Sequence, residues 1–451
     1  MLREVLCSGF KSLEAFSITF KPGVNIIIGP NGGGKTNIIL FLEFIGSLSH
    51  SQLMEAISTV GGAGKIFRRT LDGYIGERIE FTVKGSGAYY DYRRRDDKKY
   101  FSTYTYSASI LLSTVENSVA FANQRLQVSV TEGDGNDLFG GADLSIVCDV
   151  ESRLTGSSDV EPTIHILDHS AALGTRKGSA EGKHDEFREK IIQSIMDFGK
   201  SRSLFLILDR DVRGADFIRR DLAGARSFNI SPQQVREPED IATPPFIQPN
   251  GSGLAATLYE LKNSVRPKSS LRYYFGVYRD FPDADRRLGE IISHVRIVNE
   301  SIRSVSVEPD PIESKLRVFL FVSYEGGELK LPFGLVSDGT AKWLALVTAI
   351  STSFSLFAIE EPENFLHPTM QAEIVRILRN HQHSSDVEQF AIVTTHSETI
   401  LNHANPDEIV VVSMENGRTI ARRPSNQYEL IEQIKKTGFG LGYFYLAGAI
   451  E

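Results

Sequence analysis

The stretch "VNIIIGPNGGGKTNIILFLEFI", residues 24 to 45, constrains the fold more than any other part of the chain. A short apolar run enters a glycine cluster and a pattern of helical spacing leaves it, which predicts strand, tight loop and helix in that order. Gly29, Gly34, Lys35 and Thr36 match G-x-x-x-x-G-K-[ST] without a mismatch. In such a loop glycines let backbone N–H groups face inward around phosphates, the following helix adds the positive end of its dipole, and the lysine reaches the terminal phosphates. The candidate ATP contacts are Asn31, Gly32, Gly33, Gly34, Lys35, Thr36 and Asn37, with the Thr36 hydroxyl on Mg²⁺. A chance lysine after a glycine-rich turn would lack the strand before it and the helix after it.

Composition narrows the rest. A chain of 451 residues, 41% of them hydrophobic, holds two or three domains, or one domain with a large insertion. The net charge of −8 argues against a protein that coats DNA indiscriminately. Local basic clusters exist at 65 to 69, "KIFRR", and 92 to 99, "YRRRDDKK"; such clusters are more often solvated strand ends than binding sites, and DNA contact stays open. Cys7 and Cys148 lie too far apart for a disulfide framework, which fits a reducing cytoplasm. Neither a CxxC nor an HExxH spacing occurs. With no apolar run of about 18 residues, the expectation is a cytoplasmic protein with no membrane contact.

Along the chain, residues 1–110 read as short strands around the phosphate loop, with "RIEFTVKG" and "AYYDYRR" as a hairpin. Residues 111–314 change character, with Gly-, Pro- and charge-rich loops between helical stretches, and read as an inserted region. Residues 315–451 return to alternating strands and helices, the pattern of a parallel sheet.

A phosphate loop hydrolyses nothing alone, and the last third supplies candidates for the remainder. "SLFAIEEPENFLHP" ends a buried strand in two carboxylates: Glu360 for the Mg²⁺ shell, Glu361 to orient and deprotonate a water. Paired acids capping a surface strand would look similar, but "LFAI" reads as fully buried. "QFAIVTTHSETI" places His396 at the end of the next apolar strand, in reach of a γ-phosphate or its water. In "GLVSDGTAKWLALVTA", Ser337 and Gly339 precede a helix whose free N–H groups suit an anion; an ordinary N-cap is the plainer reading, and both hold if the anion comes from a second subunit. Asp209 and Asp211 in "LFLILDRDVRG" follow an apparent apolar strand as a metal-dependent nuclease's D-x-D would, but the upstream glutamate is missing and a charged turn is the better reading. His381 and His383 read as the polar end of a helix.

The order loop, S-D-G-T, strand-E-E, strand-T-H resembles the ABC-type ATPase heads of the SMC, RecF and OLD group, the AAA_15/AAA_21-like AAA family ATPases. "FKSL" at 10 to 13 is similar to the group's N-terminal strand motif, which implies that Lys11 and Ser12 lie near the nucleotide. "NGSGLAATLYELKN" resembles a G-S-N-L-A helix, with Gly253 in place of the asparagine, and "GFGLGYFYLAGAIE" resembles the group's glycine-rich ending. Glu360 replaces the usual aspartate, and the Q-loop is left unassigned, with Gln124 as one candidate. About 55 residues follow His396, too few for the Toprim nuclease domain of full OLD proteins. The resemblance implies an α/β head with a mixed, largely parallel core sheet and an antiparallel β lobe, interrupted by a large, mainly helical arm. It implies ATP and Mg²⁺ as cofactors, a homodimer or larger homo-oligomer, and, from Septu- and PARIS-like defence systems, control of a separate nuclease or toxin. A RecF-like repair ATPase acting on DNA ends or gaps is the alternative; a transporter's nucleotide-binding subunit is the third reading, against which the long insertion speaks.

Overall fold

The computed structural model describes residues 1–69, 72–73, 75–90, 99–113, 118–132, 142–149, 163–168, 181–209, 212, 214–263, 272–274, 277–279, 284–353, 356–383 and 390–450. Three sheets carry the architecture. The first is antiparallel and seven-stranded, in the order β2 (Phe16–Thr19), β1 (Leu2–Ser8), β4 (Arg78–Tyr90), β5 (Lys99–Ser113), β6 (Ser118–Glu132), β7 (Ala142–Asp149), β8 (Thr163–Asp168). The second has six strands in the order β19 (Arg418–Arg422), β18 (Ile409–Glu415), β3 (Gly23–Ile28), β17 (Phe390–Thr394), β16 (Phe357–Glu360), β9 (Arg226–Phe228), parallel except for β19. In the third, β14 (Lys315–Tyr324) pairs with β13 (Ile302–Asp310), β10 (Glu239–Asp240) and β15 (Gly327–Pro332), while β11 (Arg272–Tyr274) and β12 (Val277–Arg279) form a small hairpin.

The parallel sheet divides the core. All five residues of β17 are buried, as a strand covered on both faces requires. Because strand side chains alternate, Ile27, Phe390 and Ile392 join one apolar cluster and Ile26, Ile28, Ala391 and Val393 join the other. The first cluster lies between this sheet and the antiparallel sheet and contains the Lys35–Ser47 helix and helices from residues 191–222. The second holds the helices Leu254–Asn263, Ala284–Val298, Asp338–Thr352 and Pro368–His383. Trp343 anchors that side: it is 1% exposed and its indole N–H donates to the His294 carbonyl at 3.1 Å.

Three sequence expectations change. "RIEFTVKG" and "AYYDYRR" do not turn on each other; "RIEFTVKGSGAYY" is the single strand β4, paired with β5 from Arg78↔Leu111 to Tyr90↔Lys99. Gly85 is there because a Cβ would stand 2.4 Å from the Tyr104 ring, not because the chain turns. "LFLI" is a short helix, Leu204–Ile207, and not a strand. Asp209 forms a buried ion pair with Arg219 at 2.5 Å, whose Nε donates to the Ser49 carbonyl, so it is structural; Asp211 lies outside the described residues. Finally, the region 111–314 carries strands as well as helices and helps build the head itself. Its first residues complete β5, β6 extends the same sheet, and β9 pairs with β16.

Candidate functional site

β3, β17 and β16 lie side by side and parallel, with Thr394 registered against Ile27 on one side and Glu360 on the other. Their carboxyl ends are therefore level, and the loops that leave them hold the phosphate loop, Glu360 with Glu361, and His396. A crevice at the carboxyl ends of parallel strands is where open α/β sheets bind ligands.

The phosphate loop is shaped by its neighbours. Gly29 has φ 151°, and a Cβ on it would stand 2.0 Å from the Val412 carbonyl oxygen. Gly34 has φ 104°, and its Cβ would lie 1.9 Å from Thr419 Oγ1. Between them, the Gly33 amide donates to Pro30 O at 3.0 Å, while Asn31 and Gly32 are exposed. Lys35 is 8% exposed, and its ammonium bridges the carbonyls of Gly29 at 2.8 Å and Pro30 at 3.1 Å. Burial pulls the Lys35 pKa down; the carboxylates of Glu361 and Glu363 oppose that shift. Thr36 is exposed at the start of the helix.

Ser12 belongs to this cluster. Its hydroxyl receives the Asn37 amide at 2.7 Å and meets Thr419 Oγ1 at 2.6 Å, and its carbonyl accepts from the Thr419 amide at 2.9 Å. Lys11, at φ 47°, is fixed through its backbone: its amide donates to Ile66 O, and its carbonyl accepts from Arg68 at 3.2 Å.

On the second side, Glu360 shares its surroundings with Glu43 of the Lys35–Ser47 helix and with Ser227 of β9. Burial pushes the Glu360 carboxyl up, the Ser227 hydroxyl opposes this, and the negative charges of Glu43 and Glu361 add to it. Ser227 also donates to Glu43 from its amide at 2.9 Å and its hydroxyl at 2.6 Å. Glu361 is exposed, sits at φ 42°, and hangs from the Thr394 carbonyl by its amide at 2.9 Å. Asn364 Nδ2 donates to its carboxylate at 3.2 Å. His396 is exposed, and its amide donates to Glu363 Oε1 at 2.7 Å.

Ser337 is the N-cap of the Asp338–Thr352 helix: its hydroxyl accepts from the Thr340 amide at 3.3 Å. It is exposed, and Asp338 beside it pairs with Arg236 at 2.5 Å. Gly339 packs on the loop after β16, where a Cβ would meet the Phe365 carbonyl at 2.9 Å. The structure thus groups Gly29 to Asn37, Ser12, Glu360, Glu361 and His396 around one strand edge, and sets Ser337 and Gly339 on a helix end packed against the Glu361 loop.

Gln124, the Q-loop candidate, has a different task. It is fully buried; its side chain takes the Tyr106 hydroxyl at 2.5 Å and the Leu204 amide at 2.9 Å and donates to the carbonyls of Gly199 and Arg202. Every capacity of that amide is spent inside the fold. His381 faces the Ser353 carbonyl at 3.1 Å, consistent with a structural role.

Thr419, Ser227, Glu43 and Glu363 were not legible as site residues. Ser227 stands on a three-residue strand, and Thr419 meets Ser12 across a separation of 407 positions.

The donor set suits Mg²⁺: an exposed Thr36 hydroxyl and the Glu360 carboxylate are hard oxygen ligands, and the crowding of Glu360 by Glu43 and Glu361 is relieved by a divalent cation. Among the described residues no group of three or more His, Cys, Asp or Glu could hold a metal by itself.

These features define a phosphate-loop nucleotide-binding head built on a mixed α/β core. A family model described as "AAA domain, putative AbiEii toxin, Type IV TA system" matches residues 186–402, and one described as "AAA domain" matches residues 4–138. Over these two stretches the chain is similar to AAA-domain ATPases. It is similar to the DNA replication and repair protein RecF of Erwinia tasmaniensis, 31% identical over 74 residues that cover 16% of this chain and 19% of that one. The similarity to RecF of Lactobacillus delbrueckii is 33% over 89 residues, 18% of this chain and 23% of the relative. The chain thus spans about a fifth of the length of the curated relatives it matches. Among solved structures, an SMC head bound to the C-terminal winged-helix domain of ScpA aligns over 93% of this chain and 97% of its own, with 11% identity and a TM-score of 0.48. The SMC head domain from Thermotoga maritima aligns over 94% and 98%, with 12% identity and a TM-score of 0.37. No helix among the described residues is long and apolar enough to cross a membrane.

Proposed function

We propose that the chain binds ATP and hydrolyses it, and that ATP closes two heads on each other so that the nucleotide state governs a separate effector. The observation that carries this reading is the common edge of β3, β17 and β16, where a fully matched phosphate loop meets two carboxylates and a histidine. The loop amides and Lys35 hold the phosphates. Glu361 orients a water and takes its proton as the water oxygen bonds to the γ-phosphorus; the bond to the β–γ bridging oxygen breaks and ADP leaves with the electron pair. His396 lies beside the same phosphate. Thr36 and Glu360 would hold Mg²⁺, which when bound offsets phosphate charge.

In this reading Ser337 and Gly339 serve the nucleotide of a second head. Their helix end is exposed and offers backbone N–H groups to an anion. The head is proposed to comprise residues 1–110 and 315–451 with contributions from the region between, whose remainder docks the effector, a nuclease or toxin of anti-phage defence. The toxin-system description of the family model over 186–402 supports that choice. The RecF relatives favour a second reading, an ATPase acting at DNA ends or gaps. Purification of the tagged chain from its native cells, with and without ATP, tests both. An ATP-dependent nuclease or toxin partner supports the first; salt-sensitive DNA binding with no protein partner supports the second.

A further inference from the structure

Lys342 is 2% exposed, four residues from the nearest exposed position of its helix, Asp338, and its ammonium donates to the Asn364 carbonyl at 2.9 Å while lying 5.9 Å from the Phe365 ring. Gly339, one turn earlier on the same helix face, admits the Phe365 carbonyl to within 2.9 Å of where a Cβ would be. Residues 339 and 342 thus grip consecutive peptide groups of the loop that follows β16. That loop is strained: Glu361 at φ 42° and Phe365 at φ 68° are both left-handed without being glycine, a state that persists only where surroundings hold it. Within it the Asn364 amide donates to the Glu361 carbonyl at 3.2 Å, and Asn364 Nδ2 donates to the Glu361 carboxylate at 3.2 Å. A continuous path therefore runs from the Ser337 cap, through one turn of helix, to Lys342, Asn364 and the Glu361 carboxylate.

Burial drives the Lys342 pKa down to about 8, and Glu363 and Glu361, both on the gripped loop, work against that shift. A buried ammonium of this kind stabilises poorly compared with an apolar residue of the same shape. Stability alone gives no reason for a lysine there, whereas a cation holding the carbonyl of Asn364, whose Nδ2 in turn donates to the Glu361 carboxylate, bears on where Glu361 points.

We infer that Lys342 is a positioning residue that couples the Ser337 end of its helix to the Glu361 carboxylate, so that contact at the exposed helix end is converted into alignment of the attacking water. This rests on the ATPase reading above for its consequence, but not for its geometry.

Three measurements decide it. With Lys342→Met, kcat for ATP hydrolysis falls about tenfold or more while ATP affinity stays within about twofold, the split expected when an interaction acts in the transition state. Asn364→Ala, at an exposed position outside the core, gives the same split and serves if the methionine variant does not fold. In nucleotide-free protein, amide exchange across residues 361–366 is faster in Lys342→Met than in wild type. Unchanged kcat in both variants, affinity and kcat lost together, or unchanged exchange in that segment would each overturn the inference. If instead wild type fails to hydrolyse ATP, the ATPase reading falls, and the exchange result still decides the positioning role.

Discussion

Gly34 and Thr419 exclude each other's side chains: a Cβ on Gly34 would stand 1.9 Å from the Thr419 hydroxyl oxygen and 2.9 Å from Thr419 Cβ. The antiparallel edge strand β19 therefore fixes the floor of the phosphate loop. Gly34→Ala meets this contact and a φ of 104° together, so it costs about 2 kcal/mol or more and distorts the loop. A lowered melting temperature together with lost nucleotide affinity is the expected result; an alanine variant with wild-type affinity would show that the loop has another shape in solution.

Lys35→Ala removes the cation that sits on the loop's own carbonyls. ATP affinity should fall about 100-fold or more, the scale of a charge-assisted contact in a partly dry site. Calorimetry checks this, and unchanged affinity removes the phosphate-loop assignment.

Glu361→Gln keeps the shape and the Asn364 contact of the side chain but not its basicity. ATP should bind and persist without turnover. Adding Ser337→Arg puts a long side chain where a second head's phosphate would sit, without touching Lys35 of the same chain. The double variant should then release labelled ATP at least about tenfold faster than Glu361→Gln alone, since it loses the contacts that close the site. Equal release rates would leave each head as a self-contained site.

His50, half-buried behind the Lys35–Ser47 helix, is held neutral: burial lowers its pKa to about 4, and the cations Arg226 and Arg219 add to the shift. Its folded pKa lies below its unfolded value, so it contributes stability above pH 6.5 that is lost as pH falls toward 4. The full window is worth about 3 kcal/mol. Wild type should lose melting temperature between pH 6.5 and 4 more steeply than His50→Gln; parallel curves would place His50 in solvent.

Glu239 closes the buried start of the Leu254–Asn263 helix. Its carboxylate accepts from the amides of Gly253 at 2.5 Å and Ala256 at 3.0 Å. Gly253 is required there, since a Cβ would lie 2.1 Å from the Phe246 carbonyl oxygen; the asparagine that the family pattern suggests could not fit this turn. Glu239→Ala orphans two buried amides and should cost about 2–3 kcal/mol, read as a shift in the denaturant midpoint.

What the sequence made legible was local chemistry. Residues 24 to 45 carry strand, loop and helix signals within one contiguous window, and "LFAIEE" and "QFAIVTTH" announce buried strands ending in reactive groups. Distant packing stayed hidden. Gly85 and Gly87 read as a turn because nothing nearby in sequence announces the Tyr104 ring against Gly85 or the Met1 nitrogen against Gly87. "LFLILD" read as a strand because a short apolar run has no period of its own. The region 111–314 read as an insertion, yet Phe121, Leu204, Phe205 and Leu222 lie in the head's core and Ser227 in the Glu360 cluster, so excising residues 120–240 would open the fold. Lys342 was passed over for the opposite reason: one lysine in an apolar helix carries no pattern, and only its carbonyl partner gives it a meaning.

The common edge of β3, β17 and β16 also bears on how the protein is made. The phosphate loop leaves the ribosome hundreds of residues before the strands that flank β3 in the finished sheet are translated. Until Thr394 has paired with Ile27 on one side and Glu360 on the other, a nascent chain has a phosphate grip with no partner strand beside β3 and no water-orienting acid. Nucleotide capture is therefore a property of a chain translated through β17, and a product truncated before that strand would be silent toward ATP instead of sequestering it.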